Sequence, residues 1–189
     1  MRNKTKKITL TALLTALAII IPMFMPIKVI QFYPFTATLA SHTPLIIAMF
    51  VSPLAAAFAA LGSAIGFFFT IDGIVAARAA THVFFAVAGA MMIRKRMNPV
   101  LTILVTMVLH TLADMFTIYL AATFFHMSYL LKGNSMKLVQ LWIGVGTSLH
   151  HLLDFFIAFV ILKPLTKAGL MDSKLIWGGT KRETVSSDQ

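Results

Sequence analysis

Three pairs of ionisable residues stand at the same four-residue spacing inside otherwise apolar stretches of this sequence. Residues 110–114 and 150–154 each follow the pattern His-x-x-x-Asp, and a third pair joins Arg78 to His82. Side chains four residues apart lie on one face of an α-helix. The spacing therefore predicts three helices, each of which presents a polar pair to whatever lies beside it.

Composition places these helices in a membrane. Of the 189 residues, 59% are hydrophobic and only 12% are charged, and the six acidic residues are too few to solvate an ordinary protein surface. The sequence contains no Cys, which excludes disulfides and thiolate chemistry.

Charged and polar side chains are costly inside a membrane, so each is a candidate functional residue that faces protein or water. Arg78 could bind a carboxylate or phosphate of a ligand through its planar fork of donors. It could also form an internal ion pair with Asp114 or Asp154, and the two roles are compatible. The two His-Asp pairs could form the polar floor of a pocket, or they could join two helices through hydrogen bonds. His151 lies on a different helix face from His150.

Apolar runs separated by Pro, Gly and charged residues predict an all-α membrane protein with six transmembrane helices in one bundle. We place the helices at about 8–25, 36–51, 53–70, 74–93, 99–125 and 141–165. The basic start and the apolar run after it resemble a signal peptide, but the run is long and we interpret it as a first helix that stays in place. Residues 1–168 thus form the membrane domain, and 169–189 form a cytoplasmic tail that we expect to be partly disordered.

Lys and Arg predict the orientation of the helices, because they are enriched on the cytoplasmic side of a membrane. If the amino terminus lies inside, 12 of the 16 basic residues fall in cytoplasmic segments, and the others are Lys28, Arg78, Lys132 and Lys137. Both termini are then cytoplasmic. The net charge of +10 is a topology signal, so we expect no nucleic-acid partner.

The first helix contains the run Ala12-Leu-Leu-Thr-Ala16 behind a basic start. With this layout the chain resembles the S-components of energy-coupling factor (ECF) transporters, which are vitamin importers with six helices and cytoplasmic ends. Ala12 and Ala16 match the Ala-x-x-x-Ala face through which S-components contact a membrane coupling subunit. Small residues one turn apart let a second helix approach closely in lipid. The resemblance covers about residues 4–168.

The resemblance implies a substrate-binding subunit in a prokaryotic plasma membrane, and not an enzyme. Its expected partners are the lipid bilayer, a small-molecule vitamin, the transmembrane coupling subunit and two ATPase subunits. ATP and Mg would be used by those ATPases, and no cofactor is expected in this chain, which has no phosphate-loop motif. The family's pocket lies in the outer half of the bundle. The predicted substrate-binding residues are Arg78, His82, Asp114, His150, Asp154, His42, His110 and Tyr33.

The vitamin stays open at this stage. Residues 35–53 resemble S-components of the niacin and cobalamin type, and pantothenate is a further candidate. Arg78 suits an anion such as nicotinate or pantothenate. Cobalamin would need a wide cavity, which the small residues Gly62, Ala64 and Gly66 could help to open.

Other functions also fit parts of the pattern. A small proton-coupled carrier or channel, or an intramembrane enzyme, could use the His-Asp pairs. Histidine and carboxylate suit Ni, Co or Zn as well. However, nickel and cobalt S-components carry a His close after the first Met, and residues 2–7 contain none, so no metal site is predicted.

Overall fold

The structure is a computed structural model that describes residues 2–24, 30–32, 35–172 and 175. In this part of the chain there are six α-helices, a two-stranded hairpin and one short 3-10 helix. The elements are α1 (Arg2–Phe24), β1 (Ile30–Phe32), β2 (Phe35–Ala37), α2 (Thr43–Met49), α3 (Pro53–Thr70), α4 (Gly73–Arg94), α5 (Pro99–Phe124), the 3-10 helix (Ser128–Leu131) and α6 (Met136–Lys167). Strands β1 and β2 pair antiparallel, with Ile30 opposite Ala37.

Four of the long helices begin at a residue that caps their free N–H groups. The side chains of Ser52, Asp72, Asn98 and Ser135 accept hydrogen bonds from backbone N–H groups in the first turns of α3, α4, α5 and α6. Such caps satisfy donors that have no partner within the helix. The caps explain why α3, α4 and α5 begin where the sequence predicts. Helix α6 begins at Met136, earlier than the predicted 141, because Ser135 supplies its cap.

Helices α1, α3, α4, α5 and α6 are long and apolar enough to cross a membrane. Large apolar side chains cover their outward faces, and Ile8, Phe69 and Phe156 are about two-thirds exposed or more. In water such a surface would aggregate, whereas lipid accepts it. The chain is therefore a mostly helical, multi-pass membrane protein.

The prediction of a continuous second helix at 36–51 is wrong. The segment begins as strand β2, turns through residues 38–42, and only then forms α2, which has 7 residues. Ala40 has a φ of 63°, which is incompatible with a right-handed helix. Pro44 gives the physical reason: it has no N–H and fits only the first turn, so the helix cannot start much before it.

This broken segment, residues 35–49, still runs the length of the bundle. Thr36 lies with Ile71 and Val75 at one end, where α3 passes into α4. Beyond α2, Val51 lies with Lys7 at the other end, close to the start of α1.

Helix α1 packs closely on α3 because two glycines leave room for it. A Cβ at Gly62 would lie 2.9 Å from the backbone oxygen of Thr15, and a Cβ at Gly66 would collide with the backbone of Ile19. Gly-x-x-x-Gly is a common packing surface between membrane helices. The glycines that could have helped to open a wide cavity therefore hold two helices together instead.

The beginning of α1 and the end of α6 lie at the same end of the bundle. The Lys6 side chain donates a hydrogen bond to the carbonyl of Gly169. Arg94 reaches the carbonyl of Val51 at 3.3 Å at this end too. The two ends of the described helical domain thus share the basic end of the bundle. Most of the predicted tail, residues 176–189, lies outside the described residues.

Candidate functional site

Most of the predicted site residues line one cavity in the bundle. It has a volume of about 30 Å³, which is room for roughly two water molecules. Helices α4, α5 and α6, the broken segment and α3 all contribute to its wall. Of the predicted residues, the structure places His42, Arg78, His82, His110, Asp114 and His150 in this wall. All of them are buried except His150, which is partly exposed.

The ion pair considered for Arg78 is present. Its guanidinium lies 2.6 Å from Oδ2 of Asp114, and it also donates to the Thr36 hydroxyl at 3.2 Å. Asp114 Oδ2 accepts a second hydrogen bond from the Thr147 hydroxyl at 3.0 Å. The prediction of an internal ion pair with Asp114 is confirmed. Thr36 and Thr147, which the sequence did not single out, complete the polar wall.

Asp154 has a different environment from Asp114, although both follow a His by four residues. Its carboxylate accepts hydrogen bonds from the backbone N–H groups of Ala40 at 3.0 Å and His42 at 2.9 Å. These donors belong to the turn in the broken segment, where no helix satisfies them. Asp154 is fully buried outside the cavity wall. Its carboxylate therefore holds the break in place.

Five histidines pack around the floor of the cavity. The ring of His42 lies 4.5 Å from that of His82 and 4.6 Å from that of His110, between ring centres. His151 lies deeper: its Nδ1 is 3.1 Å from Nδ1 of His110, and its Nε2 is 3.1 Å from the Thr106 hydroxyl. His150 lies at the edge, with Nε2 3.4 Å from the Ser41 hydroxyl. His151 does not line the cavity. This was expected, because adjacent residues lie on different faces of a helix.

Helix α5 carries a regular polar series toward this floor. Its members are spaced by four residues: Asn98, Thr102, Thr106, His110 and Asp114. The last four are buried. The Thr102 and Thr106 hydroxyls donate to backbone oxygens one turn earlier, at 3.1 Å and 2.8 Å. These threonines were not among the predicted site residues, although their common spacing with His110 indicates one buried face.

Several buried polar atoms in the cavity wall have no hydrogen-bond partner. They are Nε of Arg78, Nδ1 of His42 and of His82, and Oδ1 of Asp114. A buried polar group without a partner costs about 1–3 kcal/mol. The wall therefore offers a donor at Arg78, an acceptor at Asp114, and imidazole nitrogens that donate or accept according to their tautomer, to a polar molecule that enters the cavity.

Aromatic rings border the cavity on the side of the hairpin. Phe35 of β2 and Phe67 of α3 both line it and are buried. The Phe35 ring lies directly over Gly146 of α6, where a Cβ would come within 2.5 Å of it. Phe35 was not among the predicted site residues. Tyr33, which was predicted, lies outside the described residues.

The predicted docking residues lie on the outer surface of α1. Ala12 is exposed and Ala16 is half-buried. Both line an apolar groove between α1 and α3 whose other side includes Ala55 and Phe58. The groove is open on the outer surface of the bundle.

One comparison with known proteins gives a relative over most of the chain. The sequence is 32% identical over 177 residues to the niacin transporter NiaX of Lactococcus lactis subsp. cremoris (strain MG1363), which covers 90% of this chain and 79% of that protein. No family model matches the chain. No solved structure matches it either.

Proposed function

The chain belongs to the S-component family of vitamin transporters, together with the niacin transporter NiaX, and from this membership we propose that its vitamin is niacin. The observation that carries the proposal is the small cavity with Arg78 in its wall. An arginine beside an aromatic border suits a small planar acid, because guanidinium binds carboxylate and aromatic rings pack against one another in offset or edge-to-face contact.

The size and the aromatic lining of the cavity favour niacin over the other candidate vitamins. A volume of about 30 Å³ can grow around a single small ring if a few side chains move. Cobalamin is far larger and would require the elements that line the cavity, among them α4, α5 and α6, to separate. Pantothenate is anionic but has no ring to pack against Phe35 and Phe67.

The charged wall also fits the anionic form, nicotinate. Two of the Arg78 nitrogens are already engaged by Asp114 and Thr36, while Nε has no partner. Nicotinate can therefore accept a hydrogen bond from Nε without breaking the ion pair. A bound carboxylate in this position would satisfy one of the buried polar atoms.

Transport requires partners in this proposal. The groove that contains Ala12 and Ala16 docks the transmembrane coupling subunit of an ECF module in the plasma membrane, with both ends of the chain cytoplasmic. Two ATPase subunits of that module hydrolyse ATP with Mg. The bundle itself binds the vitamin and catalyses no reaction.

Titration calorimetry on the purified chain with nicotinate, nicotinamide, pantothenate and cobalamin tests the proposed ligand. We expect nicotinate to bind most tightly. Arg78→Ala removes a contact to a charged group, worth about 1.5–3 kcal/mol, so nicotinate affinity should fall roughly 10- to 150-fold.

Lys137→Ala is the matched control, because Lys137 is an exposed cation in the first turn of α6, outside the cavity. It should bind nicotinate like the wild type. Tighter binding of pantothenate or cobalamin than of nicotinate would contradict the proposed substrate. Equal affinities of the Arg78→Ala and Lys137→Ala variants would place the site elsewhere.

A further inference from the structure

The buried interior has an imbalance of charge. Among the described residues, the buried formal charges are those of Arg78, Asp114 and Asp154. There are therefore two buried carboxylates and one buried guanidinium. If the histidines are neutral, one negative charge has no positive counterpart. An uncompensated charge in a low-dielectric interior is strongly unfavourable. Such an interior favours the binding of a further cation.

Three histidines are arranged to receive that cation. His42, His82 and His110 each offer a ring nitrogen, and the three nitrogens lie within 4.8 Å of one another. Zinc–nitrogen bonds of about 2.0 Å place tetrahedral ligands roughly 3.3 Å apart. Side-chain movements on the order of 1 Å would therefore close the three rings around one ion.

Carboxylates lie where a histidine-bound metal needs them. Asp114 Oδ1 has no hydrogen-bond partner and lies 3.8 Å from Nε2 of His82. The other oxygen of Asp114 lies 3.7 Å from Nε2 of His110. Asp154 Oδ2 lies 3.0 Å from Nδ1 of His42, although the two are not aligned for a hydrogen bond. A carboxylate behind a ligating imidazole orients the ring and increases its basicity.

A second group, His42, His150 and Asp154, has equally short separations. It is the weaker arrangement, because Asp154 already accepts two backbone hydrogen bonds. We propose that His42, His82 and His110 bind a divalent transition metal ion of the Zn²⁺ type, with Asp114 as the carboxylate that orients the rings of His82 and His110. Imidazole is a ligand that this class of ion prefers.

The ion also changes the charge that nicotinate meets. A divalent cation converts the net negative interior into one with a single positive charge, which one nicotinate neutralises. This part of the inference rests on the proposed function. We expect nicotinate to bind roughly tenfold or more tightly when the metal is present, as for a charge-assisted contact.

Metal binding is measured on the full chain, purified in detergent with an affinity tag that contains no histidine. The protein is treated with a chelator, dialysed against Zn²⁺ alone, and examined by elemental analysis. The expected result is one Zn²⁺ per chain. With Co²⁺ alone, we expect the strong visible absorption bands of a four-coordinate site.

His82→Ala and His110→Ala should each lose this metal. His126→Ala is the matched control, because His126 is exposed and lies in the connection after α5. If the two cavity variants do not fold, X-ray absorption spectroscopy of the wild-type Co²⁺ form still counts the imidazole ligands, and three are expected.

Wild-type protein that retains no Zn²⁺ after dialysis would overturn the metal site, and so would unchanged binding in the cavity variants. Calorimetry with nicotinate is repeated with and without Zn²⁺. Equal nicotinate affinities in the two conditions would overturn the coupling. Failure of nicotinate to bind in both, together with normal Zn²⁺ binding, would instead contradict only the proposed substrate.

Discussion

Identical sequence patterns have different roles at the level of single residues. Asp114 and Asp154 each follow a histidine by four positions, yet Asp114 pairs with Arg78 in the cavity wall and Asp154 binds the backbone at residues 40 and 42. The helical spacing predicts which side chains share a face. It cannot predict that one carboxylate would meet free backbone N–H groups, because that depends on a break in another segment.

Removal of the Asp154 carboxylate should destabilise the whole bundle. Asp154→Ala leaves two buried N–H groups without an acceptor, at about 1–3 kcal/mol each. We expect a clearly lower melting temperature in detergent, which is measured by intrinsic fluorescence. Asp154→Asn keeps one acceptor oxygen, so its melting temperature should lie between those of Asp154→Ala and the wild type.

Leu153→Ala is the control for this comparison, since Leu153 is the adjacent residue and its side chain is 43% exposed on the outer face of α6. It should melt close to the wild type. If Asp154→Ala and Leu153→Ala melted at the same temperature, the carboxylate would not hold the break.

At the level of elements, the broken segment was the feature that sequence reasoning missed. Residues 45–51 are all apolar, and the run before them is only mildly polar, so hydropathy joins them into one helix. Strand β2 pairs with β1 in a local hairpin that hydropathy does not detect, and the left-handed Ala40 is held by Asp154, which is distant in sequence. The longer helices could be predicted well because Pro53, Asp72 and Asn98 mark their starts locally.

The contact of Phe35 with Gly146 of α6 gives a prediction for the broken segment. Gly146→Ala places a methyl group within 2.5 Å of the Phe35 ring, so this ring must move in the cavity wall. Overpacking of this kind costs about 1–3 kcal/mol, and we expect nicotinate affinity to fall by roughly 5- to 150-fold. Calorimetry measures the affinity.

Gly144→Ala is a close control on the same helix. Its nearest neighbour would be the Met115 sulfur at 3.5 Å, an ordinary contact, and both substitutions change helix propensity equally. Gly144→Ala should therefore bind nicotinate like the wild type. Equal nicotinate affinities of the Gly146→Ala and Gly144→Ala variants would show that the contact of Phe35 with Gly146 does not affect binding.

At the level of the whole molecule, length and composition were enough to predict a mostly helical, multi-pass membrane protein. The proximity of His42, His82 and His110 in space could not be predicted from spacing, because these residues lie far apart in the sequence. Only the packing of α4, α5 and the broken segment brings them together.

The groove between α1 and α3 should be required for transport and not for binding. Ala12→Trp with Ala16→Trp fills the groove, so we expect loss of copurification with the ATPase-containing module and loss of uptake, with unchanged nicotinate affinity. Leu13→Trp with Leu17→Trp is the control, since both leucines are exposed one position further round the same helix. The control should assemble and transport normally.

Proteoliposomes provide the measurement. The chain alone should bind nicotinate without accumulating it, and addition of the module with internal ATP should start uptake. Concentrative uptake by the chain alone under a proton or sodium gradient would favour a carrier. Normal assembly of the Ala12→Trp, Ala16→Trp variant would place the docking face elsewhere.

The small cavity beneath Phe35 also determines how fast the vitamin is exchanged. A cavity of about 30 Å³ is smaller than nicotinate, so we expect each encounter to wait until the side chains that line it, Phe35 among them, move. Association rates should then level off at high nicotinate concentration, at the rate of opening, and the apparent affinity is reduced by the fraction of time spent open. Dissociation must pass through the same opening. A variant that loosens the strand would therefore shorten the residence time of the vitamin even if every contact with Arg78 stayed intact.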